Sequence, residues 1–293
     1  MNIARDWKDY EILDMADGMK LERWGNVVLT RPDPQIVWKD RSFKKLWNET
    51  FAIYERSSSG GGAWNYKKVV PKQWSVKYKN LTFNVKPMGF KHTGIFPEQA
   101  VNWDFMIEKI KNTRSHRKFT DKKISKEEIL KILEGARYSA SAKNSQFLRY
   151  SYTVDDEKCK KLFSAVSLGG LLKPEDKATL EERPRAYILI SAKKDVNIPD
   201  FLQYFDVGIA SQNIALLANE LGYGACIVMS YNKNVFKEVL ELPEDYESKA
   251  VIVLGEAKDI VKLTDSKDEN DTKYFIENGT HYVPKLPLDK ILL

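Results

Sequence analysis

Cysteine and histidine are scarce in this chain of 293 residues. Two cysteines, Cys159 and Cys226, cannot build a disulfide framework, and reduced thiols in a cytoplasmic protein are the default expectation. Three histidines, His92, His116 and His281, lie far apart and give no zinc-ligand spacing. No stretch approaches the roughly 18–20 consecutive apolar residues of a membrane span, so no membrane contact is expected. The opening MNIARDWKDYEILD is charged from Arg5 and lacks the apolar core of a secretory signal. No Ser-His-Asp set and no paired-carboxylate site can be read from the chain. What is present is ordinary for a globular protein: 43% hydrophobic and 30% charged residues, which excludes a disordered tail or a fibre.

Charge and tryptophan are unevenly spread. Residues 1–112 carry 19 Lys+Arg against 13 Asp+Glu, whereas the remainder carries 28 of each. All seven tryptophans, at 7, 24, 38, 47, 64, 74 and 103, fall in the first part. This composition boundary predicts two units, a small basic β-rich domain over 1–104 and an α+β domain over 105–293.

In the first unit, residues 9–31 read as short strands around a turn at Asp17-Gly18. Residues 41–55 read as a short helix with Phe43, Leu46 and Trp47 on one face. The loop Arg56–Gly62 is rich in serine and glycine but has neither the ending of a P-loop nor dinucleotide-fold spacing. Residues 74–86 alternate around Lys79-Asn80 as a hairpin. Residues 41–90 hold ten Lys/Arg against two Asp/Glu, interleaved with aromatic residues. Two readings stay open: an RNA-binding face, with charges on phosphates and rings on bases, or solvated lysines around a small tryptophan core.

The segment Gly89-Phe90-Lys91-His92-Thr93-Gly94-Ile95-Phe96-Pro97-Glu98-Gln99, with RSSSGGGAW and RPDPQIVW, resembles the front end of class I S-adenosylmethionine-dependent methyltransferases of the ribosomal-RNA type. The resemblance covers about residues 9–110. The glycine-rich turn that should follow, and that would hold the adenosyl group, is absent from residue 112 onward. No methyl transfer is expected.

The second unit opens on Asn112-Thr113-Arg114-Ser115-His116-Arg117-Lys118-Phe119. Two arginines three apart with a serine between them can present cations and a hydroxyl to one anion, though taken alone they read more readily as a plain surface charge cluster. Ser125-Lys126-Glu127-Glu128 is a capping box that starts a helix with Ile129, Ile132, Leu133 and Ala136 on one face. The small-residue run Ser139-Ala140-Ser141-Ala142-Lys143-Asn144-Ser145-Gln146 could let a backbone approach a flat ligand, or simply end the helix. Strands are predicted at 148–154, 185–191, 225–229 and 250–255, and helices at 155–163, 206–221 and 233–240. The order of helices and strands predicts a layered α+β fold, a mixed sheet flanked by helices.

R-S-x-R-x-F, then S-A-S-A-K-N-S-Q, D-V-G-I-A-S-Q-N-I-A-L-L-A-N-E-L-G-Y-G-A-C, L-P-E-D-Y, A-V-I-V-L-G-E-A and the tail Glu277–Lys285 follow one another in an order similar to that of the nitroreductase family. The resemblance spans about residues 105–293. It implies FMN bound at a homodimer interface and hydride passed from NADH or NADPH to a small electron-poor acceptor, a nitroaromatic or a quinone. A flavin ring would carry the hydride itself, which fits the lack of acid–base constellations. By the same resemblance, Arg114, Ser115 and Arg117 match the phosphate-binding motif. Ser141 and Asn144, with the backbone of Ala140 and Ala142, match the loop against the isoalloxazine ring. Met229 and Ser230 match a strand end beside the flavin, and Lys285 a basic tail residue that returns to the phosphate. His116 falls at a variable position and reads as a bystander. Thr113 stands where the family has arginine, Leu286 where a second basic residue is common, and Ala140 where proline is common.

Overall fold

A computed structural model describes residues 4–58 and 60–293 of the chain. Residues 1–3 of the N-terminal segment and Ser59 of the glycine-rich loop lie outside the described residues. The chain divides into two compact units, Met1–Met106 and Ile107–Leu293.

In the first unit, β1 (Tyr10–Ala16), β2 (Met19–Trp24), β3 (Val27–Pro32), β4 (Ala52–Arg56) and β5 (Gly62–Tyr66) form one sheet in sequence order. Only the β3–β4 pairing is parallel. Asp17 and Gly18 both take positive φ (51° and 68°), the geometry a two-residue hairpin turn requires, and so join β1 to β2. A separate hairpin pairs β6 (Trp74–Tyr78) with β7 (Leu81–Val85) around Lys79-Asn80. The helix expected over 41–55 shrinks to one turn, α1 (Lys44–Trp47), and Ala52–Arg56 is strand. Its pattern explains the correction: Ala52 and Tyr54 are buried while Ile53 between them is not, and the alternating face finds partners on β5 and β3.

All the tryptophans but the exposed Trp38 pack into this unit's core. Trp24 and Trp47 are buried, and Trp7, Trp64 and Trp74 pack against the cluster of Trp24, Leu29, Val76 and Val85. Trp103 adds ring contacts to Trp7, Tyr78 and Phe83. Phe43, Tyr66 and Phe90 stay exposed, as do Lys67, Lys72, Lys77 and Lys86. One buried ion pair crosses the sheet. Arg31 donates from Nε (2.5 Å) and Nη2 (2.8 Å) to the Glu22 carboxylate, which also accepts from the Tyr10 hydroxyl. Burial pushes the Glu22 carboxyl up, but the hydrogen bonds and charge of Arg31 outweigh this and hold it below the usual range.

Helix α2 (Ala100–Asn112), not foreseen from the sequence, contains the boundary between the units. The second unit is built on four antiparallel strands in the order β10 (Gly224–Val228), β11 (Tyr246–Gly255), β9 (Ala186–Lys193), β8 (Arg149–Thr153). Ile188, Ile190, Ile252 and Leu254 point to one face, under α3 (Lys126–Arg137) and α5 (Asp200–Glu220). Tyr187, Leu189, Val251 and Val253 point to the other, under α4 (Asp156–Phe163) and α6 (Lys233–Val239). Ser125 caps α3 in the expected reciprocal box with Glu128. Helix α5 starts at Asp200, earlier than the expected 206. The tail adds a three-stranded sheet, β12 (Ile260–Asp265), β14 (Thr280–Lys285) and β13 (Phe275–Glu277), and a short α7 (Leu288–Ile291). The fold is α+β, with the mixed layers the sequence predicts.

Removing Glu22 leaves Arg31 charged in an apolar setting. Glu22→Ala is expected to destabilise the first unit by about 3–5 kcal/mol. Because every tryptophan lies in that unit, denaturant unfolding followed by tryptophan fluorescence reports it selectively. An unchanged midpoint would show that the pair does not hold the sheet.

Candidate functional site

The segment Arg114–Arg117 runs beside β10. Ser115 bridges Ala225, and the His116 N–H donates to the Ala225 carbonyl at 2.9 Å. Thr113 is buried and its hydroxyl donates back to the Lys109 carbonyl at 2.7 Å. It closes the end of α2 and does not face an anion. Arg114 also turns back, giving one guanidinium N–H to the Ile110 carbonyl at 2.7 Å. Arg117 gives Nη1 to the Ser115 carbonyl and lays its guanidinium 4.8 Å from the Tyr274 ring centre. The Nε groups of both arginines are buried without a hydrogen-bond partner. Two orphaned cationic donors in one short segment are what an anion would satisfy.

His116 proves to be structural. Its Nδ1 lies 2.8 Å from Asp259 Oδ1, while Asp259 Oδ2 accepts the Arg117 N–H at 3.0 Å. Burial pushes the Asp259 carboxyl up, and the bonds from His116 and Arg117 more than offset it, holding it below the usual carboxylate range. Gly224 makes room for the imidazole: a Cβ there would stand 2.8 Å from His116 Cβ. Asp259 lies outside every motif the sequence offers, and no local signal marks it.

The small-residue loop sits at the opposite edge of the sheet, leading into β8. Ser141 Oγ accepts from the Gln146 N–H at 3.0 Å, and Asn144 faces the Gln146 amide. Lys143, Asn144 and Gln146 take φ of 55°, 51° and 46°, which costs on the order of 1–3 kcal/mol each for residues with side chains. Asp206, 2% exposed in the middle of α5, clamps the loop by accepting the Ala142 N–H at 3.0 and 3.2 Å. Beside the loop lies a cleft of about 330 Å³ lined by Ala140, Ser141, Gln146, Tyr150 and Asp206. Burial, then the Asp206 charge, pushes the Tyr150 hydroxyl up to about 12.

Met229 and Ser230 follow β10 directly and are exposed, on the same edge as Arg114–Arg117. Lys285 ends β14 opposite Asp265. Four residues of strand, roughly 13 Å, separate it from His281, which packs on Tyr274 beneath Arg117. Within one chain, then, Arg114, Ser115, Arg117, Met229 and Ser230 share an edge. Ala140, Ser141, Ala142 and Asn144 lie at the other edge, and Lys285 stands apart.

His281 is buried, and its Nε2 lacks a partner. Burial, reinforced by the Arg117 charge, pulls its imidazole below the ordinary 6.5. The unfolded chain therefore takes up a proton near pH 6.5 that the folded chain refuses, and stability present above that pH is lost as pH falls below it. Between about pH 7 and about pH 5, calorimetry is expected to show a steeper loss of melting temperature for the parent than for His281→Phe. Equal slopes would contradict this.

The sequence profile of the nitroreductase family matches residues 110–256, half of the chain and entirely within the second unit. A protein of Archaeoglobus fulgidus named as an NADH dehydrogenase/NAD(P)H nitroreductase is 31% identical over 157 residues, covering 52% of this chain and 86% of its own. An NADPH-dependent oxidoreductase of Staphylococcus haemolyticus is 31% identical over 156 residues, covering 48% of this chain and 60% of its own. Among solved structures, an FMN-dependent nitroreductase of Clostridium difficile is 27% identical, with a TM-score of 0.46, over 59% of this chain and 99% of that one. With its R-S-x-R segment seated on β10 and its profile match running from the end of α2 to the end of β11, this chain belongs to the nitroreductase family of oxidoreductases.

Proposed function

We propose that the second unit binds FMN and passes hydride from NADH or NADPH to a small electron-poor acceptor of the nitroaromatic or quinone type. The observation that carries this reading is the pair of buried, unpartnered Nε groups on Arg114 and Arg117. Arg114, Ser115 and Arg117 would hold the phosphate, Arg117 through a fork that can meet two oxygens at once. Ser141, Asn144 and the backbone of Ala140 and Ala142 would line the ring, with Met229 and Ser230 at its side. When bound, FMN supplies a ring that accepts and donates hydride. The protein's part is to fix that ring and exclude water, and the Asp206 clamp on the 140–146 loop suits the first task.

The same geometry favours a homodimer. The two groups of residues lie at opposite edges of a four-stranded sheet, three strand spacings or roughly 14 Å apart. A second copy would bring the loop of one chain to the arginines of the other and so complete each site.

Purified protein is expected to be yellow, with FMN near one per chain, and light scattering is expected to give twice the 33.8 kDa chain mass. A monomer holding stoichiometric FMN would overturn the shared site. Arg117→Ala removes a charge-assisted contact worth about 1.5–3 kcal/mol and is expected to weaken FMN by about tenfold to a hundredfold in a fluorescence titration of apo-protein. Binding equal to the parent's would remove Arg117 from the phosphate site.

A further inference from the structure

Arg117 is held from several sides, and two of its supports come from chain beyond residue 256, where the family match ends. Its N–H is fixed by Asp259 at 3.0 Å. Its stem lies in a notch over Gly169, where an added Cβ would stand 3.2 Å from Arg117 Cδ. Its Nη1 is used on the Ser115 carbonyl. The guanidinium carbon lies over Tyr274, 4.8 Å from the ring centre. Tyr274 is braced in turn: its hydroxyl accepts the Leu171 N–H at 3.2 Å, and its ring packs at 5.0 Å on buried His281. With its guanidinium over an aromatic ring and Nη1 on a carbonyl, Arg117 keeps a buried Nε that has no partner.

An arginine side chain free to rotate would pay about 2 kcal/mol of rotamer entropy on gripping an anion. One stacked on a braced ring has paid much of it already, and the ring's electron-rich face favours the cation. We propose that Tyr274 is a positioning residue for the flavin phosphate, holding the Arg117 guanidinium in the orientation that receives it. This rests on the reading of Arg114–Arg117 as the phosphate site. Tyr274 itself touches the guanidinium and need not touch the flavin. Its contribution should therefore appear with a flavin that carries a phosphate and vanish with one that does not.

The test compares FMN with riboflavin, the same ring system without the phosphate, by fluorescence titration of the full-length apo-protein. The parent is expected to prefer FMN. Tyr274→Leu removes the ring and is expected to weaken FMN about three- to thirtyfold, the range of a cation–π contact, while leaving riboflavin unchanged. Tyr274→Phe and Tyr274→Trp keep an aromatic face and are expected to retain the parent's preference for FMN. FMN binding by Tyr274→Leu equal to the parent's would overturn the inference while leaving the flavin reading intact. So would a parallel loss of FMN and riboflavin, which marks a merely structural role, or failure of Tyr274→Phe to retain the preference. A parent that takes up neither flavin would overturn the flavin reading and this inference with it.

Discussion

Strands β9 and β11 have almost no solvent side. From Ala186 to Ala192, and from Ser248 to Gly255, every residue is buried, and successive side chains serve two separate cores. Burying a large aliphatic side chain is worth about 1.5–3 kcal/mol, so both faces must be covered, and α3 with α5 and α4 with α6 cover them. Once the centre of the sheet is sealed in this way, only its edges are free to carry chemistry. The arginine segment lies along β10, and the small-residue loop runs into β8.

Two carboxylates, Asp206 buried and Asp259 half-buried, then do matching work at those edges. Asp206 receives a backbone N–H from the left-handed loop, and Asp259 receives one from the arginine segment together with an imidazole. Each segment is too irregular to satisfy its own backbone, and a buried unpaired N–H costs about 1–3 kcal/mol. A carboxylate supplied from a distant element removes that cost and fixes the segment. Thus the parts proposed to meet the ligand are precise although neither belongs to a regular strand or helix. Two of the buried polar atoms without partners, Arg117 Nε and His281 Nε2, belong to side chains that both pack on Tyr274.

The first unit follows the same logic on a smaller scale. Its aromatic residues serve as core because a small sheet has few other large side chains to bury, and the Glu22–Arg31 pair is tolerated inside it because every charged oxygen has a donor. The helix expected over 41–55 failed for a related reason. Ala52 and Tyr54 gain more from alternating burial against β3 and β5 than from continuing a helix whose nucleus is only one turn long.

Much was legible along the chain because it depends on neighbours in sequence. The hairpin turns at Asp17-Gly18 and Lys79-Asn80, the Ser125–Glu128 capping box, the buried strands and the long apolar helix all follow from local spacing and conformational preference. The order of motifs pointed to the nitroreductase family. The tertiary structure decided what those residues do with their hydrogen bonds. It showed that Thr113 closes a helix, that His116 is tied to Asp259, that Tyr274 lies against Arg117, and that the arginine segment and the small-residue loop lie at opposite sheet edges. The contacts of His116 with Asp259 and of Arg117 with Tyr274 join residues more than a hundred positions apart. They are set by which strands pair and which backbone groups are left without partners, and no local pattern of residue types records that.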